Sequence, residues 1–336
     1  MRKFVEQGVK HMKTLRNIAI LAGIAALGIA APAWADYPNK PVTLVVPYGP
    51  GGAADLAARI MGNEAPEYLG DNILVVNQTG AAGVTGSTMV AKGPKDGHQL
   101  LMSRVGSQAT VPAMNETIPY TWDEFTMLGI VEMNPFAVAV AADSPYQTFD
   151  DLAEALKGDK KLTYSSAGVG TLLHMASLIL INDLGASSDA HIHVPFKGGG
   201  NATAAVISGN ADFIFHNLSG LIGGIQSGQL RALVVTTPER VDRIADTPTA
   251  SEVGHPTLEA VIGWSGVWGP GGMDQDAVDK WVSVLGSIKA DDSWNAATSD
   301  LGSIPTVMSQ GETRAFVEAQ YNTFNKIADQ LGMVVR

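Results

Sequence analysis

Short apolar runs alternate along this chain with glycine-rich turns and with longer segments of helical period, an alternation that predicts an α/β protein. The first run, Val42-Thr43-Leu44-Val45-Val46, has no polar face, which suits a parallel strand covered on both sides. Pro47 cannot donate to a ladder and ends the strand. Gly49, Gly51 and Gly52 then turn the backbone, and a helix starts near Ala53 and runs toward Leu69, with Pro66 set to bend or break it. Asn72 to Asn77 reads as a second strand. Gly80, Gly83 and Gly86 punctuate the next loop, a short helix passes through Met89-Val90-Ala91, and Gln99 to Ser103 is a third strand. This β-α-β-α-β order is that of an open parallel sheet.

The middle of the chain repeats the pattern. Phe136 to Val140 is a strand, Thr148-x-x-Asp151 a capping box opening a short helix through Leu156, and Lys161 to Tyr164 a strand. That strand runs into Ser165-Ser166-Ala167-Gly168-Val169-Gly170-Thr171 and a helix, Leu172 to Leu184, apolar on nearly every face and hence buried. Strands follow at 191–196, 212–215 and 230–235, with Lys197-Gly198-Gly199-Gly200-Asn201 turning into a helix that ends near Ser208. Val261 to Trp268 is extended, and two amphipathic helices, about 275–289 and 311–331, close the chain. Two α/β lobes, mainly parallel sheets flanked by helices and joined by two crossing strands near 136–140 and 261–268, explain this order. Lobe one then takes 36–138 and 263–336, and lobe two 139–262.

Residues 1–35 stand apart. A basic leader (Arg2, Lys3, Lys10, Lys13, Arg16) precedes an apolar run from Ile18 to Ala31, and Ala33-Trp34-Ala35 is an A-x-A site before Asp36. This reads as a secretory signal peptide cleaved after Ala35, too short for a membrane span; translation starts at Met1 or at Met12. The leader carries a net charge of +4, so its removal takes the chain from −11 to −15. Such acidity is poorly suited to nucleic acid or an anionic membrane surface. A bound anion would have to be held by backbone N–H groups and hydroxyls. The sequence has no cysteine, which excludes disulfides, thiolate metal sites and cysteine nucleophiles.

Two strand-to-helix turns are the candidate chemistry. At Gly49–Ala53 glycines allow a ligand to approach the main chain, and the free N–H groups and positive end of a helix dipole make an anion site. The alternative is a turn shaped by glycine that binds nothing. Gly49-x-Gly51-x-x-Ala54 also fits a dinucleotide fingerprint, but the second strand ends in Asn77 where a ribose-binding acid belongs. The turn at Ser165–Thr171 offers hydroxyls and N–H groups for a carboxylate, or is a plain N-cap. Ser103 to Ser107, just past the third strand, is a natural third side of the pocket. Ser166-Ala167-Gly168 fits the end of a nucleophile elbow, with Tyr164 in place of its first glycine and His174 as the nearest base. His191 and His193 share a strand face, as a metal pair or as ordinary strand histidines. Asp55 and Arg59 form an i, i+4 helix pair. Trp264 and Trp268 share a face of the second crossing strand and either wall the pocket or pack in the core. Arg104 and Lys197 are loop cations near the pocket mouths, or simply solvated.

Pro38-x-Lys40-Pro41, Val46-Pro47-Tyr48, Gly51-Gly52-x-x-Asp55 and Arg59 together resemble the start of the tripartite tricarboxylate transporter substrate-binding proteins, also called Bug proteins. The likeness continues through Val76-Asn77-Gln78-x-Gly80-Ala81-x-Gly83, Ser165-x-x-Gly168-x-Gly170-Thr171, Val194-Pro195-Phe196-Lys197-Gly198-Gly199, Gly209-x-x-Asp212 and Asp246-x-Pro248-Thr249-x-x-Glu252, and covers nearly all of 37–336. The resemblance implies a two-lobed periplasmic binding protein of type II. It would close over a small mono-, di- or tricarboxylate and deliver it to the membrane subunits of a tripartite transporter, as a monomer, with no cofactor, metal or catalysis. It further implies that Tyr48, Gly49, Gly52 and Ala53 grip the carboxylate from one lobe and Ser166, Gly168 and Thr171 from the other, with Ser103, Ser107, Phe196 and Asn217 on the specificity side. The chain departs from the family's pattern at Gly269-Pro270-Gly271-Gly272-Met273, where Pro-Ala-Gly-Thr-Pro is usual, and at His216, where an acid is common. The residues alone leave two alternatives, a secreted α/β hydrolase-like enzyme using Ser166 and His174, and a receptor-type sensor of organic acids.

Overall fold

The computed structural model describes residues 37–330, 334 and 335; the expected signal peptide, its cleavage site and the two candidate starts lie outside the described residues. Strand β1 (Val42–Val46) is fully covered at four of its five positions, as its unbroken apolar run requires. Helix α1 (Ala53–Glu64) follows the glycine turn, and Pro66 does break it, opening the single turn α2 (Pro66–Leu69). Strands β2 (Ile73–Asn77) and β3 (Gln99–Arg104), with α3 (Val84–Ala91) between them, lie parallel to β1 on either side of it.

The 103–107 stretch is not a loop. β3 runs on through Arg104 and is followed at once by a wide helical turn, Gly106–Thr110, that continues into α4 (Val111–Met114). Glycine and two serines suggested a loop; instead every residue of 105–114 is buried, and burial on all sides overrides local propensity.

Strand β4 (Thr126–Ala141) is far longer than its apolar centre suggested. Thr126 to Pro135 pair with the returning strand β9 (Ile262–Gly269), whereas Phe136 to Ala141 pair with β7 (Phe213–Asn217) on one side and β8 (Leu230–Val235) on the other. One strand therefore serves two sheets. The first runs β2-β1-β3-β9-β4, with the short β10 (Ile304–Pro305) on the far edge of β4. In the second, β7 joins β4 to β5 (Thr163–Ser166), and β6 (Ile192–Pro195) is the outer strand. The βαβ arms pair in parallel, while β4 and β9 pair antiparallel with their neighbours, so both sheets are mixed. β4 crosses between the sheets and contains the expected 136–140 segment, whereas β9, expected as a second crossing strand, pairs with β3 and with the first-sheet half of β4.

The helices of the second sheet are α5 (Phe149–Lys157), α6 (Leu172–Asp183), α7 (Gly199–Ile207) and α8 (Ile222–Gln226). The capping box forms: Asp151 N donates to Thr148 Oγ1 and the Asp151 carboxylate accepts from Thr148 N at 2.9 Å. Helices α9 (Gln275–Ile288), α10 (Asp292–Asp300) and α11 (Gln310–Gln330) close the chain on the first sheet. α10 was not legible, being short and mostly polar, with Trp294 and Thr298 its buried residues. Trp264 and Trp268 are fully buried and stack with ring centroids 5.7 Å apart, so they pack in the core and do not wall a pocket.

Candidate functional site

The opening turn is held from behind by Asp55. Its carboxylate accepts from Gly51 N at 3.0 Å, from Arg59 Nε and Nη2, and from Asn77 Nδ2 at 2.9 Å. Burial would raise this carboxyl, but these hydrogen bonds outweigh it and hold it below its ordinary value. Asn77 also donates to the Tyr48 carbonyl, which ties β2 to the turn. The Tyr48 hydroxyl donates to Ala82 O at 3.0 Å, and burial pushes its pKa up to about 12, so it stays a neutral donor. No side chain fits at Gly83 or Gly106, where a Cβ would lie 2.9 and 2.6 Å from that hydroxyl.

The second turn is closed largely on itself. Thr171 Oγ1 donates to Gly168 O at 2.8 Å, and Gly168 N donates to Ser166 Oγ. Gly168 (φ 134°) and Gly170 (φ 80°) take a backbone that only glycine adopts readily. Ser166 Oγ lies 2.6 Å from Nε2 of His193, not of His174; His174 Nδ1 accepts from Gly170 N instead, and the two imidazoles stack 4.0 Å apart. Burial pushes both rings down to about 4, His193 with a further contribution from His174, so both are neutral. His191 bridges Leu162 N and Leu156 O, a structural tie; among the described residues no group of His, Asp or Glu side chains could hold a metal ion.

A third turn, Phe196 to Gly200, meets the first. Gly49 N donates to Lys197 O at 3.0 Å. A Cβ on Gly52 would stand 3.1 to 3.3 Å from the backbone of Gly199 and Gly200, and one on Gly200 would stand 2.3 Å from Pro50 O. The two glycine turns are packed main chain against main chain, so Gly49 meets the facing turn directly.

Between these turns lies a small cavity of about 40 Å³. Three helix starts open onto it: Gly52 to Ala54 of α1, Thr171 to Leu173 of α6, and Gly199 of α7. None of the three has a side-chain cap, so their first N–H groups remain available. Tyr48, Gly106, Ala167 and Asn217 complete much of the wall. An adjoining recess is lined by Tyr48, Gly80 to Gly83, Gly168 and Phe196. The expected residues Tyr48, Gly52, Ala53, Thr171 and Asn217 thus come together at the cavity, and Gly168 and Phe196 beside it. Ser103, Ser107 and Ser166 do not line either space. Ser103 donates to Gly266 O and Ser107 to Arg104 O, while Ser166 is engaged within its own turn.

Two cavity residues carry more than their sequence positions suggested. Arg104 is not a solvated loop cation: it ends β3 buried, with Nη1 on Glu132 Oε1 at 3.4 Å and on Ser265 Oγ. His216 is buried with both ring nitrogens unpartnered, and burial, then the Arg104 charge, push it down to about 3. The signal for Arg104 was present in the sequence as a charge ending an apolar strand, matched by the lone Glu132 in β4. Lys197 is exposed at the cleft edge.

Among the described residues no helix is long and apolar enough to cross a membrane. Residues 57–333 match the model of the tripartite tricarboxylate transporter family receptor. The UPF0065 protein in the tcbD-tcbE intergenic region of Pseudomonas sp. (strain P51) is 32% identical over 268 residues, 78% of each chain. The solved structure of periplasmic binding protein BugD is 28% identical, with a TM-score of 0.83 over 89% of this chain and 100% of that one. R. palustris Rpa4515 with adipate is 26% identical, with a TM-score of 0.82 over 88% of this chain and 99% of that one. Fold, cavity and these likenesses agree: the chain belongs to the tripartite tricarboxylate transporter receptor family and is a solute-binding protein, not an enzyme.

Proposed function

We propose that this protein is an extracytoplasmic receptor that closes on a small organic acid between two lobes, 36–138 with 263–336 and 139–262. The observation that carries the reading is the convergence of three uncapped helix N-termini on one cavity. Each presents free N–H groups and the positive end of a dipole, and enclosure strengthens both toward a carboxylate. Tyr48, Gly49, Gly52 and Ala53 form one jaw. Thr171 and Gly168 form the other, with Ser166 holding the shape of that turn, and Phe196 and Asn217 reach the rest of the ligand. Ser103 and Ser107 support the wall from behind. Binding favours closure to the extent that the ligand touches both jaws.

The acid would then pass to the membrane subunits of a tripartite tricarboxylate transporter, from a monomer exported by a signal peptide cleaved after Ala35. The adipate of the Rpa4515 structure supports the ligand class. Thermal melts of ligand-free protein against mono-, di- and tricarboxylates test the reading. An acid at about 100 times its Kd should add roughly 2.7 kcal/mol of stability. A Gly52→Val variant should melt normally yet lose that shift. Silence from every acid, or a variant that binds as well as the parent, would refute the site.

A further inference from the structure

The inner end of the cavity is built from side chains that the helix N-termini do not need. Arg104 is 5% exposed, His216 1% and Asn217 2%, and all three face the cavity. Both hydrogen bonds of Arg104 use Nη1 and turn that edge of the guanidinium toward Glu132 and Ser265. Ser265 also donates to Glu132, which fixes the carboxylate behind the arginine. Among the described residues the cavity wall itself holds no carboxylate. His216 Nδ1 and Nε2 are buried without a partner in the protein, with Nε2 beside Gly199 at the start of α7, whereas Asn217 Nδ2 is turned toward Gly263 of β9. Buried polar groups in a folded protein are ordinarily satisfied, so an unpartnered imidazole close to a buried guanidinium at one cavity marks where a ligand supplies the partners.

The chemistry of that partner follows from the donors. A guanidinium carries five N–H groups in a planar fork matched to a carboxylate. Burial keeps His216 neutral, so it offers one N–H and one lone pair and adds no competing charge. An ammonium group here would meet a like charge and an array of donors.

We propose that Arg104 and His216 form a second acidic subsite, so that the protein selects ligands carrying two acidic groups and no amino group, with Arg104 as the specificity-determining residue. This rests on the carboxylate reading of the cavity given above: one acidic group sits at the helix starts and the other on the free edge of Arg104. Glu132 is a positioning residue that neutralises the guanidinium from behind and aims it. A monocarboxylate of equal length would leave the guanidinium half-paired.

Titration calorimetry on the purified, ligand-free protein tests this with succinate and adipate, with butyrate and hexanoate of the same lengths, and with aspartate and aminoadipate. The dicarboxylates should bind roughly 10- to 100-fold more tightly than the monocarboxylates and than their amino derivatives, the range for hydrogen bonds to a charged group. In an Arg104→Gln/Glu132→Gln variant, which leaves no buried charge unpaired, the dicarboxylates should lose their advantage and bind no more tightly than the monocarboxylates do to the same variant. Equal binding of butyrate and succinate, aspartate binding as tightly as succinate, or a double variant that keeps the preference would each overturn the subsite while leaving the carboxylate receptor intact. The comparison on the unaltered protein stands even if the variant fails to fold. Binding by none of these acids would overturn the receptor reading and the subsite together.

Discussion

A methyl group at Gly200 is the sharpest perturbation of the cleft that leaves the cavity chemistry in place. Gly200 lies in the first turn of α7 with an ordinary helical backbone, so alanine suits the helix and should raise its stability by about 0.5–1 kcal/mol. The added Cβ, however, would sit 2.3 Å from Pro50 O and 3.0 Å from Gly51 C on the facing turn. Ordinary contact is reached about an ångström farther out. Moving the turns apart by that much breaks the Gly49 N to Lys197 O bond, worth about 0.5–1.5 kcal/mol, and adds an overpacking cost of about 1–3 kcal/mol. A cleft that closes on its ligand must bring these turns together, so the penalty falls on the closed form. Together this is roughly 2–4 kcal/mol, or about 30- to 800-fold in affinity. Calorimetry with the tightest-binding acid measures the loss, and a thermal melt without ligand checks that the fold is intact. Gly223→Ala is the control, since a Cβ there meets nothing within 4 Å. A Gly200→Ala protein that binds within about twofold of the parent, with an unchanged melt, would refute the idea that the two glycine turns form the closing contact.

Removing Arg104 alone, as Arg104→Leu, should destabilise the protein by about 3–5 kcal/mol in urea unfolding, because Glu132 is left buried without its counter-charge. Stability should fall on acidification. His216 is held neutral down to about pH 3, whereas in the unfolded chain it takes up a proton below about 6.5. Unfolding therefore becomes easier as pH drops from about 6.5 toward 3, by about 1.4 kcal/mol per unit for this residue, and His216→Gln should flatten the slope by that amount in pH-dependent denaturation. Thr148→Ala should cost about 0.5–2 kcal/mol through loss of the capping box, with ligand affinity unchanged by calorimetry.

Much of this arrangement was legible because local rules and the tertiary structure agree. The all-apolar run of β1, the proline at its end, the glycines after it and the capping box at Thr148 each carry their meaning within a few residues. What was hidden depends on distant partners. The amino-terminal half of β4 contains glycine, glutamate, asparagine and proline, and reads as a strand only once β9 is beside it. The helical turn at 106–110 is imposed by burial, and Thr110 anchors it by donating to Gly170 O across the cleft. The same holds at the site. Glycine turns and helix starts announce an anion site locally, so Gly52, Ala53 and Thr171 were readable. That turn 49–52 packs on 197–200, and that Arg104 is buried against Glu132, could emerge only from the pairing of β3, β9 and β4. Serines 103 and 107 show the converse: suitable chemistry at suitable positions, but with hydroxyls already bonded elsewhere.

The placement of β9 also dictates the order in which the molecule can be assembled. β9 lies between β3 and β4, pairing Leu101 with Trp268 and Met133 with Trp264. Until residues 262–269 have been synthesised, the carboxyl-side edge of β3 and the first half of β4 have no partner, and the sheet that carries the opening turn stays unfinished. The second sheet, made wholly from strands within 136–235, can close earlier. The nascent chain thus carries the unpaired edges of β3 and of the first half of β4, open to wrong pairing, until β9 has emerged.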